Sequence, residues 1–101
     1  MNDAEIEREI QAKGLTAARV TPERLEACIA GEDYHVFPGS QLTVCCLTLA
    51  NGFTVIGESA CASPQNFNAE LGRKIAREKA RDKIWPLEGY LLKQQLFDRG
   101  A

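Results

Sequence analysis

The chain reads as an α+β protein on three observations. Capping residues and helix-spaced apolar positions mark both ends, a β-branched apolar run fills the middle, and Asn51-Gly52 separates that run from a second one. Its 101 residues suffice for one core and fall short of two. The predicted organisation is a single domain. A helical arm covers 1–31, a β-hairpin or small antiparallel sheet covers 34–60, and C-terminal helices broken near Pro86 cover 63–97.

The arm opens with a short helix from about Asp3 to Lys13. Asp3 reads as its N-cap, Glu5 and Glu7 suit the positive end of the helix dipole, and Gly14 is a natural stop. Its apolar content is thin, Ile6 and Ile10 one turn apart, so it must dock or fray. A second helix takes Thr21 as cap and Pro22 as first residue, with Leu25, Cys28 and Ile29 as its stripe and Gly31 as its end. The period then changes. Gln41 to Leu49 and Phe53 to Gly57 are strand-like, and a two-residue loop of Asn51 and Gly52, both at positive φ, sets Ala50 opposite Phe53 and Leu47 opposite Ile56. Tyr34 to Phe37 offers a third strand. From the cap Asn68 a helix follows, with Leu71, Ile75, Ala76, Ala80, Ile84 and Leu87 as its apolar stripe. Within it, Gly72, Ala76 and Ala80 form a shallow track on which another helix could lie. Pro86 cannot continue a straight helix, so a kink or break is expected at Trp85-Pro86 before a last helix carrying Leu87, Tyr90, Leu91, Leu92, Leu96 and Phe97.

Composition narrows the function. No run approaches the roughly 18 apolar residues of a membrane span, and the acidic start lacks the basic-then-apolar order of a secretion signal. The expected location is cytoplasmic. Cys28, Cys45, Cys46 and Cys61 include no CxxC, adjacent Cys45 and Cys46 would face opposite ways on a strand, and His35 is the only histidine. Reduced cysteines, no metal and no cofactor are therefore expected. A cysteine nucleophile would have only His35 as base, in the acidic run Glu32-Asp33-Tyr34-His35, and there is neither a P-loop nor a GxGxxG. These features point to a binding protein rather than an enzyme.

The net charge of −2 hides an asymmetry that suggests what is bound. Acids crowd the first third, while Arg73, Lys74, Arg77, Lys79, Arg81 and Lys83 crowd one later window. Arg73, Arg77 and Arg81 recur every four residues along about 12 Å of helix, a spacing able to grip a pyrophosphate. The same pattern also suits a solvated face with local ion pairs. Ahead of this helix, Ser59 to Asn68 leads out of a strand into a helix N-terminus, whose free N–H groups favour an anion. Asn66 and Asn68 supply amides there and Phe67 an aromatic face, or they cap and staple the helix to the sheet. The short basic window and acidic balance argue against broad nucleic-acid binding.

Five motifs then identify a relationship. Asn51-Gly52-Phe53-Thr54-Val55, Gly57-Glu58-Ser59-Ala60-Cys61, Pro64 with Asn66-Phe67-Asn68, Gly72-Arg73-Lys74-Ile75-Ala76 and Lys83-Ile84-Trp85-Pro86-Leu87-Glu88-Gly89-Tyr90 together resemble a family of small tailed-phage proteins. That family includes the anti-Thoeris sponges, which capture the cyclic ADP-ribose-type signal of bacterial TIR-domain defence enzymes. The resemblance implies a host-cytoplasmic dimer, or an assembly of dimers, with pockets where protomers meet near the C-terminal helices. It implies sequestration without cleavage of a cyclic nucleotide-type signal. Phe53, Asn66, Phe67, Arg73, Arg77 and Lys83 are the ligand-binding candidates it carries over: aromatics for the base, amides for polar edges, cations for the pyrophosphate. The competing expectation is a phage accessory protein that binds nucleic acid or a host protein.

Overall fold

The computed structural model describes residues 2–15 and 17–100. Two short helices, α1 (Asp3–Ala12) and α2 (Pro22–Ala27), precede three strands, β1 (Ile29–Val36), β2 (Leu42–Leu49) and β3 (Thr54–Ala60). A single 3-10 turn (Pro64–Asn66) leads into α3 (Ala69–Asp82), and α4 (Ile84–Asp98) follows. The strands form an antiparallel meander in the order β1-β2-β3. The fold is α+β, with helices at both ends of the chain and the sheet between them.

Helix starts follow local chemistry. Thr21 Oγ1 accepts from the Arg24 amide at 3.1 Å with Pro22 in first position. Asn68 Oδ1 accepts from the Leu71 amide at 2.8 Å. The first helix departs from expectation by one residue. Asn2 is its cap, accepting from the Glu5 amide at 2.9 Å, and this frees Asp3 to reach Arg81. The second helix is shorter than its apolar spacing suggested. Gly31 does not end it: α2 stops at Ala27, and β1 begins at Ile29. The third strand is correspondingly longer than Tyr34 to Phe37, because pairing with β2 from Ile29↔Leu49 to Val36↔Thr43 overrides the poor strand propensity of Ala30, Glu32 and Asp33. A register irregularity between Ile29 and Gly31 absorbs the change of direction out of α2.

The hairpin also corrects its expected register. Pairing runs Thr48↔Thr54, Leu47↔Val55 and Cys46↔Ile56, so Leu47 does not face Ile56. Only Gly52 takes positive φ (90°), and the Leu49 amide donates to the Phe53 carbonyl at 2.8 Å. Ala50, Asn51 and Gly52 thus form a three-residue loop, the type I turn with a left-handed third residue. Asn51 keeps negative φ and accepts from the Phe53 amide at 2.9 Å through Oδ1.

That register decides which side chains of β3 meet α3. Thr43, Cys45, Leu47 and Leu49 of β2, with Val55, Gly57 and Ser59 of β3, are buried, and their alternates are not. Leu25, Ala76, Ala80 and Ile84 complete the core. The track of Gly72, Ala76 and Ala80 is filled by the sheet and not by another helix. A Cβ on Gly57 would stand 2.2 Å from the Ala80 nitrogen and 2.3 Å from the Ala76 carbonyl oxygen. The α3 backbone therefore sits directly on a strand with no side chain between them. Leu71 and Ile75, expected in the stripe, are exposed at 55% and 41%.

The chain breaks between Asp82 and Ile84, slightly before Pro86. Pro86 then lies in the first turn of α4, where a missing N–H leaves no helical bond unmade. Of α4 only Ile84 is buried; Tyr90 and Phe97 are largely exposed. The sheet face turned away from α3 carries half-buried Val44 and Cys46, exposed Ile56 and Phe37, and a His35–Phe37 edge contact with centroids 4.6 Å apart.

Candidate functional site

The end of β3, the junction after it and one flank of α3 enclose a cleft of about 130 Å³. Gln41 and Ser59 to Cys61 border it from the sheet, Asn66, Phe67 and Asn68 from the junction, and Leu71, Gly72, Ile75 and Lys79 from α3. The local sequence explains the shape. Pro64 starts the 3-10 turn, Phe67 and Asn68 are extended, and the cap at Asn68 starts α3 after that bend. Gly72 keeps the floor low: a Cβ there would lie 3.0 Å from Thr43 Oγ1.

The polar groups of the cleft are partly committed. Ser59 donates its hydroxyl to the Gly72 carbonyl at 3.1 Å. Asn68 uses its carbonyl oxygen as the helix cap, which leaves its NH₂ donors available. The cleft thus offers amides, one aromatic face in half-buried Phe67 and one cation, Lys79. Among the described residues Lys79 has no ion-pair partner, whereas Lys74 is paired with Glu70 at 3.4 Å.

The arginine stripe lies elsewhere. Arg77 donates to Glu26 at 3.3 Å and to Glu32 at 3.4 Å; Arg81 pairs with Asp3 and, at 3.1 Å, with Glu26. Arg81 is 7% exposed and also lies 5.9 Å from the centroid of the Trp85 ring. Burial alone would lower the pKa of both guanidinium groups. The carboxylates outweigh it, Glu26 and Glu32 at Arg77, Asp3 and Glu26 at Arg81, and both shift upward. Glu32 is held below its ordinary range, first by the Tyr34 hydroxyl and then by Arg77. Around Arg77 and Arg81, Asp3, Glu26, Glu78 and Asp82 line the same open groove, so carboxylates outnumber guanidiniums four to two. That groove does not attract anions as it stands.

Of the six candidates from the sequence, the cleft brings together Asn66 and Phe67. Phe53 follows the hairpin loop, at the opposite end of β3 and about 20 Å along the strand. Arg73 is exposed on α3, Arg77 is held in the groove, and Lys83 is exposed between α3 and α4. Lys79, Gln41 and Ser59 were not singled out. A helical projection signals Lys79, because it shares a face with Asn68, Leu71, Gly72 and Ile75.

The class defined here is a small α+β protein with one helix packed on a three-stranded meander and a cleft at the strand-to-helix junction. This chain belongs to the Phage protein (N4 Gp49/phage Sf6 gene 66) family, whose sequence profile matches residues 20–96. No curated protein and no solved structure matches it.

Proposed function

We propose that this phage protein captures a cyclic ADP-ribose-type signalling nucleotide and sequesters it without cleavage, so blocking TIR-dependent Thoeris immunity. The observation that carries the reading is the junction cleft. It sets Asn66, Asn68, Phe67 and Lys79 around one concavity beside a helix N-terminus. The ring suits the face of a base, the amides its polar edges, and the lysine a phosphate. Asn66, Asn68 and Phe67 carry no ionisable group, in keeping with holding a ligand rather than converting it.

At about 130 Å³ the cleft is smaller than the several hundred cubic ångströms of a nucleotide site. A second copy would complete it. Leu71 and Ile75 line the cleft and are exposed, and Leu87, Tyr90, Leu91 and Phe97 give α4 an exposed apolar surface. Phe53, Arg73, Arg77 and Lys83 join the site only where such a copy brings them to it.

The test is to incubate the full chain with glycocyclic ADP-ribose, remove free ligand, denature by heat and analyse the released molecule by mass spectrometry. Intact ligand supports capture. A hydrolysed product makes the protein an enzyme, and an empty eluate sinks the proposal. The competing reading, a host-protein or nucleic-acid binder, draws on the open sheet face with exposed Phe37 and Ile56. It gains ground if a host protein co-purifies, or DNA binds with steep salt dependence, while the nucleotide is not retained.

A further inference from the structure

The cations of α3 divide between two flanks. At 3.6 residues per turn, Asn68, Leu71, Gly72, Ile75 and Lys79 cluster around one direction, and Arg73, Arg77 and Arg81 around another, roughly 180° away. The structure fills in both directions. The first flank is the cleft wall; on the second, Arg77 and Arg81 are neutralised by Glu26, Glu32 and Asp3. Lys79 is the cation of the cleft, and neither Glu78 beside it nor Asp82 one turn on pairs with it.

We infer that the phosphate subsite of this protein lies at Lys79, on the β3 flank of α3, and not on the arginine stripe. The ligand class is a phosphorylated nucleoside that lies along α3. Its phosphate meets the Lys79 ammonium, and its base meets Phe67, Asn66 and Asn68. Asn68 and Lys79 are three turns apart, about 16 Å along the axis between their backbones, so a ligand touching both lies lengthwise along the helix. Arg77 and Arg81 hold α1, α2 and β1 to α3; a phosphate there would have to displace carboxylates already in place. For its nucleotide this subsite rests on the capture reading; for its anion it does not.

The experiment follows backbone amide shifts of the full chain by NMR during separate titrations with inorganic pyrophosphate, adenosine and ADP-ribose. It compares the wild type, Lys79→Met and, as a charge-removal control, Lys93→Met on exposed α4. The expected result is that pyrophosphate perturbs residues around Ile75 to Lys83 in the wild type and in Lys93→Met but not in Lys79→Met. ADP-ribose should bind Lys79→Met about ten- to a hundredfold more weakly, the usual penalty for losing a charged hydrogen bond. Adenosine affinity should not change. Pyrophosphate shifts at Lys79 with no nucleotide binding would retain the subsite and overturn nucleotide capture. Shifts centred on Glu26 and Glu32, unaltered pyrophosphate binding in Lys79→Met, or no pyrophosphate response at all would overturn the subsite. If ADP-ribose still bound in those cases, capture would stand with its anion held elsewhere.

Discussion

Thr43 is fully buried beneath α3, and among the described residues its hydroxyl has no hydrogen-bond partner. Opposite it on β3, Ser59 has one in the Gly72 carbonyl. An orphaned buried hydroxyl costs about 1–3 kcal/mol in desolvation. Thr43→Val keeps the shape and removes the orphan, so its urea midpoint should rise by the equivalent of about 1 kcal/mol; a fall would mean that the hydroxyl has a partner in solution. At the cleft, Phe67→Ala and Asn66→Ala should each weaken nucleotide binding about tenfold or more with little effect on the thermal midpoint, as read by calorimetry and melting curves. If the thermal midpoint falls with binding, these residues are staples and not ligand contacts. Asn66 and Phe67 were legible from their place between a strand and a helix cap. Lys79 was not, because it lies inside a run of charges; only the closed fold shows that one flank of that run faces a concavity and the other faces acids.

At the level of elements, the ends of α2 and β1 were hard to read because local preference and tertiary pairing disagree. Cys28 and Ile29 continue a helical stripe, but only Cys28 stays with it, as the C-cap of α2; β2 offers a paired edge and wins Ile29. The hairpin was visible as a hairpin, yet its register was not. Asn-Gly favours a two-residue loop but also fits a three-residue loop with glycine last, and here the second places Val55, Gly57 and Ser59 against α3. Glu32 in β1 reports on the link between this sheet and α3. Its carboxyl pKa is depressed in the fold by Tyr34 and Arg77, so it contributes stability above the unfolded carboxylate range, and that contribution fades as pH falls through the depressed value. Glu32→Gln should therefore be less stable than the wild type near pH 7, with the gap closing below about pH 4. A gap that persists or widens in acid would show that the Glu32 charge is not what stabilises.

For the whole molecule, what stands out is how much apolar surface it leaves uncovered. The body measures 53 × 31 × 17 Å, and α4 carries Tyr90 and Phe97 exposed at 74% and 70%. Patches of this kind mark association surfaces. Light scattering should give at least twice the mass of one chain, and Tyr90→Glu with Phe97→Glu should reduce it without altering the circular dichroism spectrum. A monomeric wild type would remove the means of enlarging the cleft. The α+β class was readable because each end and the middle carried its own period. The exposure of α4 was not, since an exposed leucine-rich helix looks the same in sequence as a buried one. The seat of α3 has one more implication. The separation of helix and sheet is set by the bare Cα of Gly57, and the same separation sets the gap between Gly72 and Ser59 at the bottom of the junction cleft. A relative with alanine at the seat would have to lift its helix, and its cleft would open with it. Bulk at one buried position, untouched by any ligand, would thus select for a larger guest.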